Sequence, residues 1–322
     1  GHAVYASDTS FVTLTNSGTE VARLQLTHSN PVMKNNENRF LTYGIGGSSY
    51  EISSFDETLY SGNAENKIYT GDVASNGTYC LVTEDNGYLT TLYAYSKNNN
   101  RIYKYSFSEY YITSVAINKD GSGCVAAGVS SDKGSAVTGV YVLDFSQEKP
   151  VSTYKISGDS VLDCKYLTSD TAVLVGSQAS YIVKKGEKNY KTVSYEDKTL
   201  SNYCFNTDTS TYTMALSRSG DGRSVALISY NSNGEAQYTI NTEHKADSLS
   251  VYKGTVAILD GNVVYGYNQK GDLLYSTNSG TGSKKIVLAS DYTAYILSVN
   301  QIRFIDLDSV SSDDTAQTSK QE

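Results

Sequence analysis

Tryptophan is absent from this 322-residue chain, and proline and histidine are scarce, at two and three residues. No run of 18 apolar residues occurs, so nothing in the sequence reads as a helix that spans a bilayer. Positive charge is in deficit: 26 Lys and Arg face 34 Asp and Glu, for a net charge of −8 and a pI near 5.0. That balance argues against a nucleic-acid binder, which needs a basic footprint to neutralise phosphates. Cysteine pairs of the C-x-x-C type, a G-x-S-x-G nucleophile turn and sustained helical periodicity are all missing. What remains is abundant: 29 Tyr with 7 Phe, among many Val, Ile and Thr. With a mean hydropathy of −0.37 this describes a folded, β-rich chain long enough for a real core.

One element recurs along the chain, a polar turn holding Asn, Asp or Gly followed by a short apolar strand. It stands at Asn36 (NENRFLTYGI), Ser75 (SNGTYCLVTE), Lys119 (KDGSGCVAAG), Ser169 (SDTAVLVG), Thr207 (TDTSTYTMAL), Lys253 (KGTVAIL) and Ser290 (SDYTAYILSV). A fainter, shortened copy opens the chain around Ala3–Ala6. Successive clear copies start 39, 44, 50, 38, 46 and 37 residues apart. Each interval holds about four short strands with their turns. In the unit from Ala246, for example, DSLSVY, VAIL, NVVYGYN and LLYST follow one another, with Gly271 in the turn before the last.

Helix-free units of this size, four strands each, indicate an all-β fold, a β-propeller of four-stranded antiparallel blades. Six blades read as Pro31–Lys67, Ile68–Tyr111, Ile112–Ser160, Val161–Thr199, Leu200–Lys245 and Ala246–Ser283. Beyond them, KIVLAS, AYILSV and QIRFIDL supply three strands, and FVTLT and EVARLQL near the N-terminus supply others. Joining the two ends in one sheet closes the ring and leaves no aggregation-prone edge. Seven blades follow, although FVTLT and QIRFIDL compete for one place, so eight is the alternative. Residues 1–308 read as a single propeller domain and 309–322 as a flexible polar tail, with Asp313-Asp314 a solvated pair within it. The chain begins Gly1-His2-Ala3-Val4 without Met, which reads as a processed or trimmed start.

Cys80, Cys124, Cys164 and Cys204 lie 44, 40 and 40 residues apart. The repeat accounts for this spacing: Cys80 and Cys124 follow the turn on second strands, while Cys164 and Cys204 lie on innermost strands. Neighbouring sheets stand about 10 Å apart, whereas a disulfide needs Cα atoms within roughly 7 Å. Buried, unpaired thiols are therefore expected, with a Cys164–Cys204 disulfide near the axis as the alternative and a metal site behind both. His2, His28 and His244 read as surface or loop histidines. Gly44 to Ser48 and Ser219 to Arg223 read as hairpin turns rather than a phosphate cradle and a calcium loop. Asn76-Gly77-Thr78 matches a glycosylation sequon but is first a turn. Tyr103, Tyr105, Tyr110 and Tyr111, and later Tyr265, Tyr267 and Tyr275, either form stacking platforms for sugars or peptides or serve half-buried strands.

The stretch NSGTEVARLQLTHSNPVMKNNENRFLTYGIGGSSYEI resembles the opening of a family of propeller-forming proteins of no assigned activity from Firmicutes, chiefly clostridia. The shared features are a Gly before a strand, then a His, a Pro, and a Tyr followed by Gly-Gly. Where that family often carries Asp after the Tyr, this chain has Gly44. The likeness runs over most of Val4–Leu307 and implies an N-terminal membrane anchor preceding an extracytoplasmic propeller. More distantly the chain is similar to WD-repeat and YVTN-type propellers. Without Trp it departs from the WD pattern, from tryptophan-docked quinoprotein dehydrogenases and from sialidase-type Asp boxes.

The expectation is a monomeric, non-enzymatic scaffold at the cell surface, binding a protein or cell-wall partner and no nucleic acid. No catalytic residue, cofactor or metal ligand is assigned. The alternatives are a carbohydrate or peptide binder using Tyr and Asn, and a hydrolase or lactonase in the axial channel, where Asp163 is the inner-strand acid.

Overall fold

The computed structural model describes residues 2–218, 220, 222–299 and 301–307. The polar tail 309–322, with Asp313 and Asp314, lies outside the described residues, as do Ser219 and Asp221 of the second glycine-bearing turn. The described chain divides into two compact units.

The larger unit, His2–Thr15 with Thr19–Ser194, holds five antiparallel sheets. The first has three strands, β1 (His2–Ala6), β2 (Ser10–Thr15) and β3 (Glu20–Gln25). The second is β4 (Pro31–Asn36), β5 (Arg39–Gly44), β6 (Ser49–Ser53) and β7 (Thr58–Asn63). The third is β8 (Ile68–Val73), β9 (Tyr79–Thr83), β10 (Thr90–Tyr95) and β11 (Arg101–Phe107). Then come β12 (Tyr111–Ile117), β13 (Gly123–Asp132), β14 (Ser135–Asp144) and β15 (Ser152–Ser157). The fifth is β16 (Val161–Tyr166), β17 (Thr171–Gly176), β18 (Ala179–Lys184) and β19 (Lys191–Ser194).

The smaller unit, from Tyr195 onward with Asn16–Gly18, holds three sheets. They are β20 (Thr199–Asn206) to β23 (Ala236–Thr242) through β21 (Thr211–Ser217) and β22 (Val225–Asn231); β24 (Ser248–Tyr252), β25 (Thr255–Asp260), β26 (Val263–Tyr267) and β27 (Leu273–Asn278); and the three-stranded β28 (Ser283–Ser290), β29 (Thr293–Ser298) and β30 (Ile302–Asp306).

Eight sheets correct the expectation of seven. The six interior units start within two residues of the starts read from the sequence, so the error lies at the ends. FVTLT and QIRFIDL do not compete for one place, because FVTLT is the second strand of one sheet and QIRFIDL the third of another. Among the described residues no sheet takes strands from both ends of the chain. The opening HAVYA is itself a strand, paired from His2 opposite Thr15 to Ala6 opposite Phe11.

Every recurrent turn read from the sequence joins a first strand to a second one. The second strands are largely apolar and buried because both of their faces are covered over most of their length. On β13, Cys124 and Ala126 enter the core shared with the sheet before it. Val125 and Ala127 enter the core shared with the sheet after it. Alternate side chains of one strand thus fill two cores, which is why no polar alternation marks these segments. β9 and β25 repeat the pattern within their own units. Outer strands such as β7 and β19 are half-exposed and alternate accordingly.

Candidate functional site

The first strands of the larger unit carry a charged cluster. β8, β12 and β16 each bulge one residue before a polar side chain, at Thr70, Ser114 and Asp163. A bulge bends its strand and re-aims the next side chain. Asp163 Oδ1 lies 3.5 Å from Lys34 Nζ and accepts a 2.9 Å bond from the Cys164 amide and a 3.4 Å bond from Ser114 Oγ. Lys165 Nζ stands 3.9 Å from Asp72 Oδ1 and donates to the Asn35 carbonyl at 3.1 Å. Asp72 Oδ2 accepts the Ile117 amide at 2.9 Å.

Two lysines and two aspartates make the group neutral. Burial alone would lower the pKa of Lys34, but the charges of Asp163 and Asp72 outweigh it and raise it overall. Cys164 lies 3.1 Å from Ser114 Oγ. Burial first, and the Asp163 charge second, push its thiol up to about 12. The cluster thus ties four first strands together, with each acid matched by a base. Among the described residues no group of three or more His, Cys, Asp or Glu is placed to hold a metal ion.

A cleft of about 580 Å³ opens where the second and third sheets of the larger unit meet. Arg39, at the start of β5, forms one side, and Lys97, Asn98 and Asn99, from the turn between β10 and β11, form another. Ile52, Leu59 and Tyr60 on β6 and β7 supply an apolar wall. Gly77, in the turn after β8, lies against both residues: a Cβ there would stand 2.9 Å from Lys97 Cβ and 3.8 Å from Arg39 Nε. Its φ of 88° is in the left-handed region that glycine adopts without strain. Tyr79 donates its hydroxyl to Asn99 Oδ1 and shares a 3.1 Å contact with the Tyr50 hydroxyl. Burial pushes Tyr50 up to about 12 and Tyr79 higher still, so both stay neutral. Among the described residues no carboxylate lines the cleft.

All four cysteines are free, three of them buried and Cys204 partly so. Burial raises Cys80 and Cys124 well above the ordinary thiol value and Cys204 to about 12. His28 does lie in the connection between β3 and β4, but it is not a surface residue: it is only 2% exposed. Its Nδ1 is 2.9 Å from Ser49 Oγ and its Nε2 is 3.7 Å from Glu51 Oε1. Burial holds His28 below its ordinary pKa and Glu51 above its own. The three groups meet with His28 and Glu51 buried and Ser49 partly exposed. His244 stacks on Tyr265 with centroids 3.5 Å apart, and exposed His2 leans on Phe55.

Gly44 to Ser48 is the turn between β5 and β6. Asn76 uses its side-chain amide to bond the Asp120 carbonyl at 2.7 Å, tying adjacent turns together. The tyrosines serve packing. Tyr105 meets Phe107 edge-on at 4.9 Å, Tyr267 is 6% exposed and shares a 2.8 Å bond with Thr242, and Tyr275 is fully buried. Tyr111, in contrast, is 52% exposed. The cleft went unseen in the sequence, since its lining comes from five separate segments. The one signal was local, two Asn-rich or Gly-bearing turns, each next to a basic residue.

Among solved structures the chain is similar to the C-terminal WD40 domain of Sif2, at 16% identity and a TM-score of 0.60, covering 87% of this chain and 80% of that one. Sqt1 of Chaetomium thermophilum, bound to the N-terminus of the ribosomal protein L10, aligns at 11% identity and a TM-score of 0.61, over 95% and 92%. A functionally unknown protein from Desulfotomaculum acetoxidans aligns at 11% identity and 0.57, over 96% and 100%. At such identities the likeness establishes the fold alone. With eight sheets, that fold is an eight-bladed β-propeller. A search of curated proteins finds no match. A family model does match, over residues 1–307, and the chain belongs to the family of unknown function DUF5711.

Proposed function

We propose that this propeller is a non-enzymatic interaction scaffold that works outside the cytoplasm and binds a polypeptide partner. The state of its reactive side chains carries the reading. The thiols are raised out of nucleophilic range, His28 is buried against Ser49 at the start of β6, and the inner-strand acids are matched by lysines. Catalytic groups are usually poised for proton transfer or attack within reach of substrate. Here those groups are used up in holding strands together, while an uncompensated basic cleft is left open to solvent. Sqt1, a structural neighbour, is a protein bound to a peptide terminus, so the fold is suited to such a role. The resemblance in the opening segment supports an extracytoplasmic site of action.

Protease shaving of intact cells of the native host tests the location, and cross-linking with mass spectrometry on the same cells tests the role. Digestion without lysis and a reproducible cross-linked protein are expected. Protection until lysis overturns the location, and turnover of a small substrate by the purified chain overturns the non-enzymatic role.

The carbohydrate alternative draws less support, because Tyr105 and Tyr267, the rings it would use, are engaged with Phe107 and Thr242.

A further inference from the structure

We infer that the cleft between Arg39 and Lys97 is a binding site for an acidic, partly apolar stretch of polypeptide. One carboxylate of the bound chain lies between the two cations, and a neighbouring apolar side chain rests on Leu59 and Tyr60. The inference rests on the scaffold reading and names its site and the chemistry of its partner.

Charge is the first argument. The chain is acidic overall, and some basic side chains find carboxylates, Lys155, Lys185 and Lys198 at 3.1, 2.8 and 2.8 Å, while others, such as Arg218 and Arg303, bond to neutral groups. Arg39 instead donates to the Asn38 carbonyl at 3.1 Å, and neither it nor Lys97 has a carboxylate within ion-pair distance among the described residues. Arg39 and Lys97 both line the cleft beside Gly77, and among the described residues no acid lines it to neutralise them. An arriving carboxylate would meet a guanidinium fork and an ammonium at once, the pairing in which hydrogen bonds are strongest.

The remaining lining selects for peptide. Asn99 gives its carbonyl oxygen to Tyr79, which leaves its amide nitrogen as a donor for a backbone carbonyl. Leu59 is 42% exposed and offers an aliphatic wall that a free inorganic anion would not use. A saccharide would favour an open aromatic face, whereas the Tyr60 ring is tilted at 40° against Tyr50, 5.9 Å away. The volume, about 580 Å³, suits a few residues of extended chain rather than a folded surface.

The test is fluorescence anisotropy on the full chain with labelled octapeptides of alternating Glu-Leu, Gln-Leu and Lys-Leu, and with a labelled oligouronate. The Glu-Leu peptide should bind at least about tenfold more tightly than Gln-Leu. Arg39→Gln and Lys97→Gln should each weaken it by about tenfold, while Lys188→Gln, on an exposed turn, leaves it unchanged. The double variant Arg39→Glu/Lys97→Glu should prefer Lys-Leu. Melting curves identify any variant that fails to fold, and the Gln-Leu comparison on the unaltered chain needs no variant at all.

Equal binding of Glu-Leu and Gln-Leu, an equal loss in Lys188→Gln, tighter binding of the oligouronate, or no binding of any probe would each overturn the proposal. A cellular partner that cross-links to the double charge-reversal variant as strongly as to the unaltered chain would remove this site and leave the scaffold reading standing.

Discussion

Tyr275 occupies the space that a side chain at Gly266 would need. The two residues oppose one another across β26 and β27, and a Cβ at position 266 would lie 2.0 Å from the tyrosine Cζ. Tyr110 covers Gly139 in the same way, with its Cδ2 2.4 Å from the missing Cβ. These pairs help explain a chain with 29 Tyr and no Trp: a ring laid over glycine fills the gap that the missing side chain leaves. Gly266→Ala should therefore lower stability by about 3 kcal/mol, the cost of forcing an added methyl group into a filled site. Urea unfolding measures it, and a loss within about 0.5 kcal/mol, the range of an ordinary surface change, would contradict the account.

Asp159, between β15 and β16, accepts bonds from the amides of Ser160, Ser177, Gln178 and Ala179 and from the hydroxyls of Ser177 and Tyr181, at 2.6 to 3.2 Å. One carboxylate so satisfies the whole turn between β17 and β18. Asp159→Asn replaces an acceptor oxygen by a donor facing donors, and should cost about 3 kcal/mol. Tyr181→Phe removes one bond and should cost about 1.5 kcal/mol. Denaturant midpoints of the two variants check the order.

The buried His28 and Glu51 pull stability in opposite directions with pH. His28 is held below its ordinary 6.5 in the fold. Its share of stability is whole above 6.5 and is lost as pH falls toward the folded value, because the unfolded chain takes the proton first. Glu51 is raised above its ordinary 4.5, so its share is whole below 4.5 and shrinks as pH climbs through the folded value. His28→Gln should flatten the loss of stability as pH falls below 6.5, and Glu51→Gln should flatten the decline as pH rises above 4.5. Melting temperatures across this range measure both, and unchanged profiles in the variants would contradict the assignment.

Thiol chemistry reports on the cores directly. Native protein at pH 8 should react with a thiol reagent at a small fraction of the rate of a free cysteine, because all four thiols are raised by burial. Unfolded without reductant, it should titrate four thiols. Three or fewer would reveal a bridge that contradicts the structure.

The sequence exposed the blades because each second strand follows a turn of Asn, Asp or Gly, and those turns are local. The eighth blade was missed for a local reason too. Ser7-Asp8-Thr9 before FVTLT matches the turn Ser169-Asp170-Thr171 before AVLVG, but it starts only 29 residues before the copy at Asn36. The three-stranded first sheet shortens that interval below the others. The burial of His28 was out of reach, since its partners Ser49 and Glu51 arrive from the next hairpin. The same holds for the cleft: Arg39 and Lys97 are 58 residues apart, and only the packing of two sheets brings them both beside Gly77.

Whether this cleft receives another polypeptide is read most directly from a photo-reactive amino acid placed at Leu59 and irradiated in the native host. A discrete cross-linked species is expected, with a partner peptide that is acidic beside the linkage, and it should be lost when Arg39 and Lys97 are both changed to Glu. No adduct at Leu59, or an adduct that survives the double charge reversal, would contradict such binding.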